Sequence, residues 1–264
     1  MNKGKGSRFI IAIVMGLIAL IGYYTKTQVN PVTGEKQKVN LTPEQEVAMG
    51  MQSAPQMAAE FGGLYQDANV QQEVKRVGQK LVRETDAVRS PYKFDFHVLA
   101  DTRTINAFAL PGGQIFITAA LLEKLSSEDQ LAGVLGHEIG HVIGRHSAEQ
   151  MASAELLQGL AGAATIALSD PSSGNSSAYM AQYIANMVNM KYGRDDELES
   201  DDFGVKYMLQ AGYNPNEMLE VMRILAEASG GNAPAEFAST HPSPANRVEK
   251  IKSSIIKYQQ QLKP

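Results

Sequence analysis

The chain has 264 residues and a formal net charge of −4, from 24 basic and 28 acidic side chains. That balance argues against a nucleic-acid binder, which carries a basic face, and the length allows one domain of more than about 200 residues plus an appendage. There is no cysteine, which excludes disulfides, thiolate-held zinc, thiol catalysis and the lipid-bearing cysteine of a bacterial lipoprotein.

Residues 1–25 place Lys3, Lys5 and Arg8 ahead of an uncharged run from Phe9 to Tyr24. The run is long for the core of a secretory signal and slightly short of the roughly 20 residues of a full span. No clear small-x-small cleavage site follows, and Tyr23 and Tyr24 suit a membrane interface. The segment reads as an uncleaved N-terminal anchor, with a cleaved signal peptide as the alternative. Either way the basic end stays in the cytoplasm and the rest is exported. This implies a bacterial envelope protein, tethered to the inner membrane or soluble in the periplasm. Residues 26–41 form a polar linker, with turn chemistry at Asn30-Pro31-Val32-Thr33-Gly34.

The main domain is expected over residues 42–264. Thr42-Pro43-Glu44-Gln45 is a helix start, with Thr42 as N-cap, Pro43 at the first position and Gln45 at the capping-box offset. This helix should run to about Glu60, where Gly62-Gly63 breaks it. A second helix follows from about Asp67 to Thr85, with Val70, Val74, Val77, Leu81 and Val82 at helical spacing. Phe94, Phe96 and Val98 then alternate with Asp95, His97 and Leu99 as in a strand; His97 has no companion at metal spacing and reads as structural. The stretch from Asn106 to Thr118 reads as strand, glycine turn, strand. It is either a plain hairpin or a sheet edge beside a cleft, in which case Gly113, Gln114, Ile115 and Phe116 would pair with an extended peptide. Ala119 to Leu125 looks like a short helix.

Ser127-Glu128-Asp129-Gln130 forms a capping box for a longer helix carrying Gly136-His137-Glu138-Ile139-Gly140-His141, an HExxH motif. Residues four apart share one helix face, so both imidazoles can reach one metal ion at about 2.0–2.1 Å. Glu138 lies one step round the helix, out of easy ligand position but within reach of a water at that ion, the place of a general base. Neutral imidazoles with a carboxylate favour zinc. Chance placement is a poor alternative, because the chain has only five histidines and Ile139, Val142 and Ile143 make the helix fit for burial, where unpartnered ionisable groups are costly. Gly133, Gly136, Gly140 and Gly144 recur along it and suggest close approach by another backbone.

Residues 152–168 are rich in Ala, Gly and Leu, 169–177 form a loop, and 178–190 read as a further helix. The pair is a core hairpin or, alternatively, a mobile lid over the cleft. A catalytic zinc needs a third protein ligand. The metzincin spacing would place a histidine at Ser147, and His146 comes one residue too early. The better source is the acidic helix start at Arg194-Asp195-Asp196-Glu197-Leu198-Glu199-Ser200-Asp201-Asp202. Glu197 and Asp201 share a face there; one can bind zinc while the other holds a histidine ring through its second nitrogen. Glu199 points elsewhere.

The combination of NAFALPGGQIFIT, HEIGHVIGRHS, YGRDDELESDDFG, AGYNP and THP over about residues 42–248 resembles one gluzincin family, the zinc metallopeptidases that include HtpX, the CAAX prenyl proteases and BepA. The resemblance implies a zinc endopeptidase fold with one Zn2+ per chain, ligands at His137, His141 and Glu197, Glu138 as base, and Asp201 behind the ligands. Ser200 stands where relatives often carry Ala, a small change. His241, in Thr240-His241-Pro242, matches the family's THP and could face a developing oxyanion or take the open zinc position in a resting state. Arg247 could tether a carboxylate nearby, and Ser243 could cap a last helix running to about Leu262.

The expected fold is α+β, mostly helical, with a small sheet beside the HExxH helix. The expected activity is zinc-dependent hydrolysis of extended or misfolded envelope proteins in protein quality control. The rival reading is a zinc-containing chaperone or holdase whose site is closed by His241.

Overall fold

The computed structural model describes residues 3–168, 192–229, 237, 240–242 and 245–261. The expected loop at 169–177, the helix at 178–190 and the cap at Ser243 lie outside the described residues. The architecture is α+β, dominated by helices around a small sheet.

Helix α1 (Lys3–Thr25) leads into a hairpin of β1 (Thr27–Val29) and β2 (Lys36–Lys38). The linker expected at 26–41 is therefore structured. Asn30 makes the turn by accepting from the backbone N–H groups of Val32 and Thr33. Among the described residues, no helix is long and apolar enough to cross a membrane, so the N-terminal segment is not seen as the expected spanning anchor. Instead α1 packs along α6 (His146–Leu168), with Ala19 facing Gly159. It leaves Phe9, Ile10, Ile13, Leu17, Ile18 and Ile21 exposed.

Helix α2 (Pro43–Glu60) opens with the reciprocal Thr42–Gln45 capping box, and α3 (Ala68–Arg83) is capped by Asp67. The apolar stripe of α3 buries Val74, Val77 and Leu81 against the sheet. The sheet contains β3 (Asp95–Leu99), β4 (Ala107–Ala109) and β5 (Gln114–Thr118), in the order β3-β5-β4. β3 runs parallel to β5 and β4 antiparallel to it. The expectation that Gly113, Gln114, Ile115 and Phe116 form a sheet edge is thus corrected: the strand they lead into is central. Ile115, Phe116 and Ile117 are all buried, as in a strand covered on both faces. The edge on the cleft side is β4, whose Phe108 stays partly exposed.

After the short α4 (Ala119–Leu122), α5 (Glu128–Gly144) runs through the centre of the molecule, buried from Gln130 to Gly144. Its closest neighbour is α7 (Arg194–Gln210). A Cβ on Gly140 would stand 2.9 Å from the backbone of Ser200, and one on Gly136 would stand 3.3 Å from the Cα of Gly204. The glycines of α5 therefore let the two backbones touch, as their spacing suggested. α8 (Glu217–Ser229) and α9 (Arg247–Gln261) pack against this pair and complete the core.

Candidate metal centre

Backbone contact between α5 and α7 sets the site. The α5 face carrying His137 and His141 meets the α7 face carrying Glu197 and Asp201, and the chain before α9 brings in His241. All five side chains are buried. Donor atoms of His137, His141, Glu197 and His241 lie within 4.8 Å of one another. Nε2 of His137 is 3.0 Å from Nε2 of His141 and 3.3 Å from Nδ1 of His241. Glu197 Oε1 is 3.4 Å from Nε2 of His141 and 3.0 Å from Nδ1 of His241. Ligands about 2.0–2.1 Å from a tetrahedral ion stand roughly 3.3 Å apart. The donors are therefore already spaced for one zinc ion, with the chemistry of a three-nitrogen, one-carboxylate set.

Orphaned atoms point the same way. Both oxygens of Glu138 and Nε2 of His241 are buried without a hydrogen-bond partner among the described residues, and Oε1 of Glu138 stands 3.8 Å from that nitrogen. Buried polar atoms rarely go unsatisfied unless they serve a function or a ligand. Burial raises the Glu138 carboxyl above the ordinary range, against the pull of His241 and His137. For Glu197 burial pushes in the same direction, but the His241 charge and bonds from His141 and His241 outweigh it and hold the carboxyl down. Burial drives His141 well below the ordinary imidazole range, which keeps its ring neutral and able to bind metal. For His241 burial is overcome by Glu197 and Glu138, and its ring is raised.

Each HExxH imidazole is supported from behind. Nδ1 of His137 lies 2.9 Å from Oδ1 of Asp201. Arg247 grips that carboxylate in two-pronged fashion, donating from Nε at 2.6 Å and Nη2 at 2.9 Å. Arg247 also places Nη1 3.1 Å from Glu197. Nδ1 of His141 lies 2.9 Å from Nδ1 of His146, whose Nε2 is 3.1 Å from Glu199. Tyr192 stacks on His141 at 3.8 Å between ring centroids and bonds Ser147 through its hydroxyl.

Sequence reasoning missed His146 in this role, together with the turn that creates it. Arg145 adopts a left-handed conformation (φ 59°) and ends α5, which folds His146 back over His141. A Cβ on Gly144 would stand 2.3 Å from the His146 ring, so only glycine fits there. The Arg145 guanidinium is buried, donates to Glu46 and to the Leu41 carbonyl, and meets Gln28. Asn30 donates to the carbonyl of Ile143, and Gln37 to that of Gly144. The N-terminal hairpin thereby satisfies the open carbonyls at the end of α5. The paired glycine and histidine after HExxH were the available signal. Glu199 lies away from the donor cluster, as expected, and His97 bonds Gln114 at 3.0 Å, away from the cluster.

The family model for peptidase family M48 matches residues 68–255. The chain is 30% identical over 224 residues to the beta-barrel assembly-enhancing protease of Yersinia pestis, covering 83% of this chain and 45% of that one. It is 30% identical over 236 residues to the mitochondrial metalloendopeptidase OMA1 of Schizosaccharomyces pombe, covering 87% of this chain and 66% of that protein. It is also 33% identical over 193 residues to a putative beta-barrel assembly-enhancing protease of Vibrio cholerae, covering 70% and 39%. The chain spans about half the length of the curated relatives it matches.

Proposed function

This chain belongs to peptidase family M48, and from that premise we propose that it is a zinc metalloendopeptidase cutting extended or misfolded proteins. The observation that carries the reading is the set of four buried donor atoms within 4.8 Å of one another, beside Glu138, whose two oxygens have no hydrogen-bond partner among the described residues. In this reading His137, His141 and Glu197 hold the zinc, while Asp201 and His146 orient the rings. Zinc supplies Lewis acidity, polarising the scissile carbonyl and making a neighbouring water acidic.

Glu138 accepts the proton of the attacking water and delivers it to the leaving amine. Its buried setting makes it a stronger base than an exposed carboxylate. His241, with Nε2 facing Glu138, donates to the oxygen that gains negative charge. The substrate lies extended along β4, whose outer backbone groups offer strand pairing, and the water is shielded by Tyr192.

A second reading has a specific observation behind it. His241 places Nδ1 3.3 Å from Nε2 of His137 and 3.0 Å from Oε1 of Glu197, so four protein donors would hold the ion and leave no position for water. That state is a resting form of the protease or a chaperone with a latent site. Casein digestion separates them. The protease reading expects digestion that stops on chelation and returns with zinc. A chaperone reading expects no digestion, and digestion gained on His241→Ala marks the resting form.

We place the protein in the bacterial envelope, acting on envelope proteins in quality control. Supports are the basic-then-apolar N-terminus and relatives named for enhancing β-barrel assembly. The exposed apolar side chains of α1 supply a surface for membrane contact. The check is fractionation of cells making the full chain, with membranes pelleted in neutral low-salt buffer, where the unsubstituted chain should stay with the membranes. Ile13→Asp with Leu17→Asp should move it to the soluble fraction.

A further inference from the structure

A groove of about 620 Å³ lies between the turn of the N-terminal hairpin, the short 3₁₀ turn Asp86–Arg89 and one side of α7. None of the four metal-donor residues lines it. Its link to the metal centre is Glu199, which bonds His146. Four carboxylates, Glu35, Asp86, Glu199 and Asp202, stand in its wall against two cations, Arg89 and Lys206. Both cations are spent on Asp86. Asp202 is spent as well, accepting from Lys257 at 3.1 Å and from the hydroxyls of Ser254 and Tyr258. Two carboxylates remain open. The exposed Glu35 side chain makes no bond or ion pair among the described residues. Glu199 turns Oε2 inward to His146 at 3.1 Å, which leaves Oε1 for the groove.

A third open atom lies deeper. Tyr207 is 0% exposed and stacks on Phe203 at 5.7 Å, and both line the groove. The Tyr207 hydroxyl has no hydrogen-bond partner among the described residues. Burial first, then the charges of Asp86, Tyr258 and Glu199, pushes its phenol up. Two of those three residues line the groove, so the hydroxyl is set toward it. A buried polar atom without a partner points to a function or a ligand.

The unspent atoms can all accept a hydrogen bond, two of the groups carry negative charge, and an aromatic ring lies beside them. A guanidinium answers each point. It has five N–H donors and no acceptor, is always charged, and is flat enough to stack on a ring. An ammonium brings the charge without the flat face or the fork. We infer that this groove binds an arginine side chain from a segment of a partner protein. The guanidinium donates to Glu35, to Glu199 Oε1 and to the Tyr207 hydroxyl, with Phe203 against its face. The volume leaves room for the backbone on either side. Because the metal donors lie outside the groove, the inference does not rest on the hydrolase reading.

The test uses the zinc-loaded full chain carrying Glu138→Gln, so that probes stay intact. Fluorescent Gly/Ser peptides with one central Arg, citrulline or Lys are titrated by anisotropy. The Arg peptide should bind at least about tenfold more tightly than the citrulline peptide, which has the same shape without the charge. It should exceed the Lys peptide by about threefold and weaken with added salt. Glu35→Lys, on an exposed turn and with zinc content and circular dichroism retained, should reduce the preference for Arg over citrulline to under about threefold. Tyr207→Phe should cost the Arg peptide about threefold while leaving Tm unchanged or higher, because it removes an unanswered hydroxyl and no packing. A hydroxyl needed only by the fold would show the reverse, a lower Tm with unchanged binding. Equal binding of the Arg and citrulline peptides overturns the assignment without relying on any groove variant. An Arg preference that survives Glu35→Lys also overturns it, by placing the binding elsewhere on the molecule. Stoichiometric Ca2+ binding that displaces the Arg peptide would give the groove to a metal ion instead.

Discussion

His137 leans on a buried ion pair, Asp201–Arg247, whereas His141 leans on a second histidine and, through it, on the half-exposed Glu199. The two imidazoles sit one turn apart on the same helix and would serve the same ion, yet their supports differ in charge, burial and origin. The His137 support is charged, sealed and shared with Glu197 through Arg247. The His141 support is carried by a single tight turn at Arg145, clamped from residues 28–46. A charged, sealed support is costly to break because it leaves a buried ion behind. A support held by a turn and a surface carboxylate has a smaller penalty and depends on a distant part of the chain.

The comparison predicts a ranking. Arg247→Ala should be the most damaging change, since it strands Asp201 and Glu197 in the interior. It should lower unfolding free energy by about 3–5 kcal/mol in urea titration, with Arg247→Lys failing to restore the two-pronged contact. Asp201→Asn leaves Arg247 paired with Glu197 alone, so it should cost less stability than Arg247→Ala and weaken zinc retention by about 10- to 100-fold in chelator competition. His146→Ala should fall at the lower end of that range, about tenfold, and Glu199→Gln should change zinc retention by under about threefold, as befits a half-exposed partner. Equal effects of Asp201→Asn and Glu199→Gln would dissolve the distinction.

Titration sharpens the contrast in the metal-free protein. Asp201 is held below its ordinary value because Arg247 and His137 outweigh the cost of burial. It therefore contributes stability that is present above about pH 4 and lost as pH falls through its lowered value. Glu138 is raised by burial, so its contribution has the opposite sign: it is present below about pH 4 and lost as pH rises through the raised value. Glu138→Gln should accordingly raise the Tm of metal-free protein at pH 7, and that gain should vanish near pH 4. A Tm at pH 7 unchanged or lowered by this substitution would mean the carboxylate is better solvated than its burial implies.

Much of the site was legible because its signals are local. Histidines four apart on an apolar helix specify a metal face, and carboxylates four apart specify a matching one. The glycine line of α5 announces the backbone contact that joins them. The supports of His141 were not legible in the same way. His146 is useful only because Arg145 turns left-handed, and that turn is held by Glu46, 99 residues earlier in the chain. Three-residue strands such as β1 and β2 carry too little pattern to stand out from a polar linker, although they cap the central helix. The edge strand was misplaced for a related reason. The hairpin at 107–118 was readable, but nothing within it says on which side β3 joins. His241 was legible only through the Thr-His-Pro resemblance, since no local spacing ties it to α5.

The most direct test of the central claim is to measure zinc per chain and peptide cleavage side by side, for the unsubstituted protein and Glu138→Gln. The account predicts about one zinc per chain in both, with cleavage in the unsubstituted protein alone. Absence of zinc from both, or cleavage that persists without Glu138, would contradict it.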